Sequence, residues 1–162
     1  MERDKQIDLD TLITWVTESN DEYVMSWNYK NKVVTCIEDL PEKCVGFVYE
    51  IFHKPSGKRY IGKKILRRKR TRQPLKGYKR KRVDYPESDW LKYTGSADEA
   101  KKWKPEDCTR VIHFACARKD EMTFYETMLI FERKALFTDV YLNDNVLGKF
   151  YSKTIKEKFG TL

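Results

Sequence analysis

Two strand-forming runs joined by a tight turn lie in the first half of the 162-residue chain. Val45 to Phe52 form the first run, Lys54-Pro55-Ser56-Gly57 supplies the turn, and Lys58 to Ile61 form the second run. Proline and glycine favour the backbone angles that reverse the chain, and the arms are rich in β-branched and aromatic residues. The sequence therefore predicts a β-hairpin with one tyrosine on each arm, Tyr49 and Tyr60.

Other segments predict the elements around this hairpin. Strand-forming residues from Tyr23 to Ile37, interrupted by the polar turn Lys30-Asn31-Lys32, predict a second hairpin that we expect to be accessory to the main domain. Arg110 to Ala117 predicts a further strand, and Glu121 to Phe137 has the strongest helical periodicity. His113 lies within an apolar stretch, so we expect it to be a hydrogen-bonded core residue.

Positive charge is concentrated in one segment of the chain. Between Ile51 and Val83 there are 15 Lys or Arg and no Asp or Glu, whereas the remaining residues carry 18 basic and 25 acidic side chains. A segment of this density repels itself unless a polyanion lies against it, and nucleic acid is the commonest such partner. The alternative is a solvated, disordered loop. Pro74 and Gly77 limit any helix here to a short one.

Several protein classes are disfavoured by the sequence. The four cysteines include no Cys-x-x-Cys pair, and the two histidines do not adjoin them, so a zinc module is not expected. The chain begins with polar and acidic residues, unlike a signal peptide, and no apolar run approaches the roughly 18 residues of a membrane span. We therefore expect an intracellular protein with free thiols and no membrane partner.

Composition divides the chain into three parts. Residues 1–40 form an acidic extension whose apolar residues at helical spacing predict an amphipathic helix that packs on the core or on a partner protein: Leu9, Leu12, Ile13 and Val16. Residues 41–148 form the main domain, with a basic insert at residues 63–86. Residues 149–162 form a basic tail that we expect to be frayed.

The sequence around the two tyrosines resembles the signature of the GIY-YIG nucleases. In that family a motif ending in tyrosine shortly precedes a Tyr-Ile-Gly motif, and here Gly46-Phe47-Val48-Tyr49 precedes Tyr60-Ile61-Gly62. The second motif is intact, whereas the glycine of the first stands one place early and Phe-Val replaces Gly-Ile. The resemblance covers roughly residues 45 to 145. The stretch from Glu87 to Ser96 is similar to a segment in the branch of the family encoded by tailed phages.

The resemblance implies an α+β fold, in which a small antiparallel β-sheet is flanked by helices, and it implies a site. In these nucleases a helical glutamate binds the divalent ion and an asparagine follows it, and Glu126 and Asn143 stand at those positions. Tyr49 is then the general base, Tyr60 positions the water or the phosphate, and Lys63 lowers the pKa of the Tyr49 phenol. Taken singly each residue has a structural explanation, so their order along the chain carries the hypothesis.

A catalytic arginine would neutralise the scissile phosphate through its forked donors. Ordinary family spacing selects Arg70, but in the phage-like branch the basic group Lys79-Arg80-Lys81-Arg82 is the better candidate. We prefer Arg80, with Arg70 and Arg82 as alternatives. Further contacts to nucleic acid are expected from the side chains of Lys64, Arg67, Arg68, Lys79, Arg82 and Tyr93.

Taken together, the resemblance implies a metal-dependent endonuclease that hydrolyses DNA phosphodiester bonds. One Mg²⁺ or Mn²⁺ held by Glu126 would stabilise the leaving oxygen. A homodimer would allow a single-site enzyme to cut both strands. The alternatives are a nucleic-acid-binding protein that keeps this fold without cleavage, and an interaction protein whose acidic N-terminal region covers its own basic surface.

Overall fold

The computed structural model describes residues 26–162, and the N-terminal amphipathic helix expected from the sequence lies outside this range. The strands of the described part are β1 (Trp27–Tyr29), β2 (Lys32–Val34), β3 (Gly46–His53), β4 (Arg59–Ile65), β5 (Arg70–Arg72), β6 (Arg82–Asp84), β7 (Cys108–Cys116), β8 (Asn145–Val146) and β9 (Phe150–Tyr151). The α-helices are α1 (Lys119–Glu132) and α2 (Ser152–Phe159). Five of the strands form the central sheet, in the order β2-β1-β7-β3-β4. The expected α+β fold is confirmed, but the sheet is mixed rather than antiparallel because β1 runs parallel to β7.

The central hairpin predicted from the sequence is β3 and β4. The two strands are antiparallel, and Tyr49 stands opposite Gly62 in their register. Gly57 closes the turn with a φ of 68°, a left-handed conformation that glycine adopts without strain. β4 is the last strand of the sheet, and residues 140–143 run along its outer edge, where the Arg59 N–H donates to the Val140 carbonyl and the Leu142 N–H donates to the Arg59 carbonyl.

The hairpin of β1 and β2 belongs to the same sheet. Its turn residues Lys30 and Asn31 have φ values of 46° and 64°, the geometry of a tight two-residue hairpin. Strand β1 then pairs in parallel with β7, the one parallel pairing between neighbours of this sheet. The sheet therefore begins inside the segment that the sequence assigns to the extension, and this hairpin is not an accessory.

Each face of the sheet has its own core, because successive side chains of a strand point to opposite faces. One face carries Trp27, Phe47 and Tyr49, which are covered by an irregular segment around Trp90. That segment is held by the Trp27 indole, which donates to the Trp90 carbonyl at 2.8 Å, and by buried Arg110, which donates to two further carbonyls. The other face packs against α1.

The C-terminal half departs from the predicted boundaries. Helix α1 ends at Glu132, five residues before the predicted end, because Lys134 has a left-handed φ of 51° and a short 3₁₀ turn follows. The tail is helical rather than frayed. The Ser152 hydroxyl donates to the Leu136 carbonyl at 2.8 Å, and Ile155 packs on the core beneath α1.

The basic insert is an ordered projection. Strands β5 and β6 pair with each other and form a two-stranded sheet separate from the main one. Asp84 joins them, because its carboxylate accepts from Arg70 and pairs with Arg72 at 2.9 Å. The expected alternative of a disordered loop is therefore wrong. Among residues 26–162, no helix combines the length and the apolar character that a membrane crossing requires.

Candidate active site

Tyr49 and Gly62 fit together where β3 and β4 pair. A Cβ atom added at Gly62 would lie 2.7 Å from Cζ of Tyr49 and closer still to its hydroxyl oxygen. Any other residue at this position would therefore collide with the phenol. The ring of Tyr60 lies next to that of Tyr49, with 6.2 Å between their centroids. The glycine of the Tyr-Ile-Gly motif thus makes room for the two tyrosines to converge, as the sequence predicts.

Tyr49 is enclosed in the core of its face of the sheet. Only 1% of its surface is exposed, and its ring meets those of Trp27 and Tyr93 edge-on at 5.3 and 5.9 Å. Burial raises the pKa of Tyr49 well above its usual value, and the neighbouring hydroxyls of Tyr93 and Tyr60 raise it further. The phenol is therefore neutral at pH 7.

Tyr60 is held by the segment that follows the basic insert. Its hydroxyl shares a hydrogen bond of 2.5 Å with that of Ser96. Its ring lies against Gly95, where an added Cβ would come within 2.8 Å of the ring and where φ is 125°. Burial raises the pKa of Tyr60, although the bond to Ser96 opposes this. Gly95 and Ser96 of the Tyr-x-Gly-Ser sequence therefore fix the position of the Tyr60 ring and hydroxyl.

Glu126 and Lys63 form a pair on the opposite face of β4. The Lys63 ammonium lies 3.5 Å from the Glu126 carboxylate and donates to the Thr123 hydroxyl at 2.9 Å. Burial raises the pKa of Glu126, and the charge of Lys63 opposes that rise. Gly62 faces Tyr49, so its neighbour Lys63 points to the other side of the strand. The structure therefore shows no contact between Lys63 and the Tyr49 phenol that would support the expected lowering of the Tyr49 pKa by Lys63.

A cleft at the outer edge of β4 brings these groups together. The cleft has a volume of about 650 Å³, and Tyr60, Ser96 and Glu126 all line it. Further carboxylates come from two loops, one carrying Asp98 and Glu99 and the other carrying Asp144. Groups from both faces of the sheet line the cleft because β4 is the last strand of the sheet. The cleft is acidic, whereas the adjoining insert is basic.

Asn143 lines this cleft and holds the edge strand. Its side-chain nitrogen donates to the Ile61 carbonyl at 2.8 Å, and its side-chain oxygen accepts from the Ile61 N–H at 3.0 Å. The side chain thus satisfies both backbone groups of the residue between Tyr60 and Gly62. This pairing gives Asn143 a positioning function in the tyrosine motif.

A family model described as "Putative endonuclease segE, GIY-YIG domain" matches residues 27–155. The chain belongs to this GIY-YIG family. The matched range starts at β1, so the first hairpin is part of the GIY-YIG domain, and it ends within α2. The comparisons with curated proteins and with solved structures gave no match.

Glu126 is the residue of the GIY-YIG cleft that the sequence assigns to a divalent metal ion. Within residues 26–162, no group of three or more His, Cys, Asp or Glu side chains converges in a way that could hold a metal ion. Mg²⁺ nevertheless binds through one or two carboxylates and completes its shell with water and substrate phosphates. Glu126, whose side chain is 20% exposed and lines the cleft, fits that mode of binding.

The candidate arginines lie on the projection of β5 and β6. Arg70 pairs with Asp84, and Arg80 is exposed in the connection between the two strands. Arg82 donates weakly to the Gln73 carbonyl at 3.4 Å. Of the described residues that line the cleft, none is an arginine. The structure does not bring Arg70, Arg80 or Arg82 to the tyrosines, and the catalytic arginine stays a prediction.

The residues expected to contact nucleic acid divide into internal and exposed groups. Lys64 is buried, because its ammonium lies 2.6 Å from the Asp89 carboxylate and 3.6 Å from the centroid of the Tyr93 ring. Arg68 pairs with the same carboxylate at 2.7 Å. The exposed members are Arg67, Arg68, Lys79 and Arg82. Lys64 therefore packs against the Tyr93 ring, which in turn packs against Tyr49.

Sequence reasoning missed a buried ionic cluster centred on Glu50. This carboxylate has no exposed surface and bonds to His113 at 2.9 Å, to Tyr141 at 2.5 Å and to Arg133 at 3.3 Å. Burial alone would raise the pKa of Glu50, but these partners outweigh it and the pKa lies below its usual value. The expected hydrogen-bonded core position of His113 is confirmed. The sequence signal that could have revealed this cluster is a single glutamate within an apolar strand.

Proposed function

We propose that this GIY-YIG domain is a metal-dependent endonuclease that hydrolyses DNA phosphodiester bonds. The observation that carries the proposal is the meeting of Tyr60, Ser96 and Glu126 in one cleft at the outer edge of β4. Hydrolysis needs a positioned water and charge stabilisation at the phosphate. A phenol hydroxyl can position the water, and a carboxylate that binds a metal ion can bring charge stabilisation to the phosphate.

The residues of the cleft divide the work between them. Glu126 would hold Mg²⁺ or Mn²⁺, and when bound the ion stabilises charge on the leaving oxygen. Tyr60 orients the water or the phosphate through its hydroxyl, which Ser96 holds in place. Tyr49, whose ring lies beside that of Tyr60 and is not among the described residues that line the cleft, accepts a proton from the water as general base. It must first lose its own proton, which burial makes unfavourable at neutral pH.

DNA is the substrate that the charge distribution favours. The β5–β6 insert follows β4 directly in the chain and carries exposed cations, which would pair with phosphates of a DNA strand that enters the cleft. The carboxylates of the cleft would repel that strand without a divalent cation. Binding should therefore weaken steeply with salt, and productive binding should require the metal ion.

The test is incubation of supercoiled plasmid and of branched DNA with the pure protein in Mg²⁺, in Mn²⁺ and in chelator. Glu126→Gln is the principal variant, because it keeps the shape of the side chain and removes its charge. We expect metal-dependent nicking by the wild type, loss of nicking in the variant, and DNA binding in chelator that the variant retains. Cleavage by Glu126→Gln at the wild-type rate would refute the assigned metal ligand.

A second candidate is a GIY-YIG protein that binds nucleic acid without cutting it. It is favoured by the enclosure of Tyr49 and by the lack of an arginine among the described residues of the cleft. This candidate predicts salt-sensitive DNA binding and no cleavage with either metal on either DNA. The same experiment therefore separates the two functions.

A further inference from the structure

A second pocket opens at the other end of β4 from the catalytic cleft. It has a volume of about 410 Å³, which is within the usual size of small-ligand pockets. Ile37 and Leu66 form part of its apolar lining. No Asp or Glu is among the described residues that line it, in contrast to the acidic cleft.

Three cations and one aromatic ring also line this pocket. Arg67 and Lys69 come from the chain just after β4, and Lys119 is the first residue of α1. All three side chains are exposed. Tyr85, a residue that is 58% exposed, also lines the pocket, whose floor is apolar. An exposed ring beside cations is the usual platform on which proteins stack nucleobases.

The pocket lies at a fixed distance from the catalytic cleft. Ile61 lines the cleft and Ile65 lines the pocket, and four residues of β-strand span about 13 Å. On α1, Glu126 lines the cleft and Lys119 lines the pocket, and seven residues of helix span about 10 Å. The two distances are similar. At about 3.4 Å per stacked nucleotide, they correspond to about three or four nucleotides.

We propose that this pocket binds an unpaired nucleobase of the DNA substrate, displaced by about three or four nucleotides from the phosphate in the cleft. The base would stack on Tyr85 over the apolar floor, and its flanking phosphates would pair with Arg67, Lys69 and Lys119. A nucleotide offers this combination of a flat apolar ring between anionic groups. The proposal rests on the proposed function of the cleft and specifies its substrate class.

A paired base cannot enter such a pocket. In a continuous duplex each base is covered above and below by its neighbours, and taking it out of the stack costs a few kcal/mol. A base in a flap, a gap or a branch is already free of that cost. The pocket therefore favours branched or partly single-stranded DNA over continuous duplex.

The test is binding in chelator, so that it does not depend on cleavage. One DNA carries a short single-stranded flap with 2-aminopurine at one position, and the control is a continuous duplex of the same length. We expect tighter binding of the flapped DNA and a change in 2-aminopurine fluorescence. Tyr85→Ala should weaken binding of the flapped DNA by roughly tenfold, the typical loss of one base stack, and binding of the duplex by less than about twofold.

Two matched variants make the result specific. Tyr85→Phe keeps the ring and should retain the preference for flapped DNA. Tyr78→Ala removes another tyrosine of the insert, 72% exposed and not part of the pocket, and should leave the preference unchanged. The proposal is overturned if the wild type binds both DNAs equally, or if Tyr85→Ala weakens both equally or neither. Preference without cleavage in metal would uphold the pocket and refute the nuclease.

Discussion

Gly62 shows how the absence of one side chain sets the geometry of the tyrosine pair. Its backbone belongs to the edge strand, and the space above it is filled by the Tyr49 phenol. Glycine is used here for close approach rather than for an unusual φ angle, since no positive φ is found at this position. The glycine of the Tyr-Ile-Gly motif is therefore needed for packing, whereas the tyrosines of the two motifs are the residues proposed for the chemistry.

Replacing Gly62 by alanine should disrupt both packing and cleavage. The added methyl group would overlap the Tyr49 ring, and such overpacking usually lowers the free energy of unfolding by about 1–3 kcal/mol. Urea denaturation measures this loss. In a Tyr49→Phe background the same substitution should cost less, because the closest atom is gone. Equal costs in the two backgrounds would show that the hydroxyl is not the atom in conflict.

The two raised pKa values predict how cleavage depends on pH. Tyr49 must be deprotonated to act as a base, and its pKa lies above the usual value, so the rate should rise with pH by roughly tenfold per unit through neutrality. The pKa of Glu126 is also raised, so protonation should displace the metal at a higher pH than for an ordinary carboxyl group. Single-turnover rates across the pH range, at several Mg²⁺ concentrations, measure both effects.

The control for this profile is Tyr78→Phe, which removes an exposed hydroxyl outside the cleft and should leave the profile unchanged. Tyr49→Phe should lose the steep rise and nearly all activity. A wild-type rate that is flat with pH, or full cleavage by Tyr49→Phe, would remove Tyr49 from the role of base.

At the scale of elements, local sequence patterns predicted the strands and helices that are formed by residues close together in the chain. The central hairpin, the strand β7 and the helix α1 follow from periodicity and turn residues. The parallel pairing of β1 with β7 joins residues about 80 positions apart, and no local pattern encodes it. The arginine is undecided for a related reason, because the β5–β6 insert breaks the spacing that would identify it.

Glu50 on β3 contacts His113 on β7, Arg133 just after α1 and Tyr141 in a loop, so replacing it by glutamine should destabilise the protein. Glu50→Gln removes the charge that pairs with the Arg133 guanidinium, and breaking a buried pair typically lowers the free energy of unfolding by about 3 kcal/mol. Exposed Glu132 provides the control, since Glu132→Gln should have little effect. Thermal or urea denaturation at neutral pH makes the comparison.

The sign of the pH dependence follows from the lowered pKa of Glu50. A carboxyl group with a lowered pKa stabilises the folded state above its unfolded value, about 4.3, and that contribution disappears as pH falls through the folded value. The difference between wild type and Glu50→Gln should therefore shrink under acidic conditions. A difference that stays constant with pH would mean that lost packing, not lost charge, is its cause.

At the scale of the whole molecule, charge is separated into three regions. The cleft is acidic, the β5–β6 insert is basic, and residues 1–25 carry 7 acidic and 2 basic side chains. Without those residues the formal net charge would rise from +8 to +13. Charges of opposite sign on one chain compete with a polyanion for the same cations, and salt screens that competition.

Removing residues 1–25 should therefore tighten DNA binding. We expect a severalfold gain in affinity at low salt that disappears at high salt, measured by titration of a labelled duplex in chelator. The cut must stop before Trp27, because that residue is fully buried and β1 pairs with β7, so a longer deletion would remove part of the sheet. A full-length variant with Asn and Gln in place of the acidic residues of 1–25 is the matched control. An equal gain in that variant would assign the effect to charge alone, whereas unchanged affinity in the truncated protein would rule out masking of the basic surface.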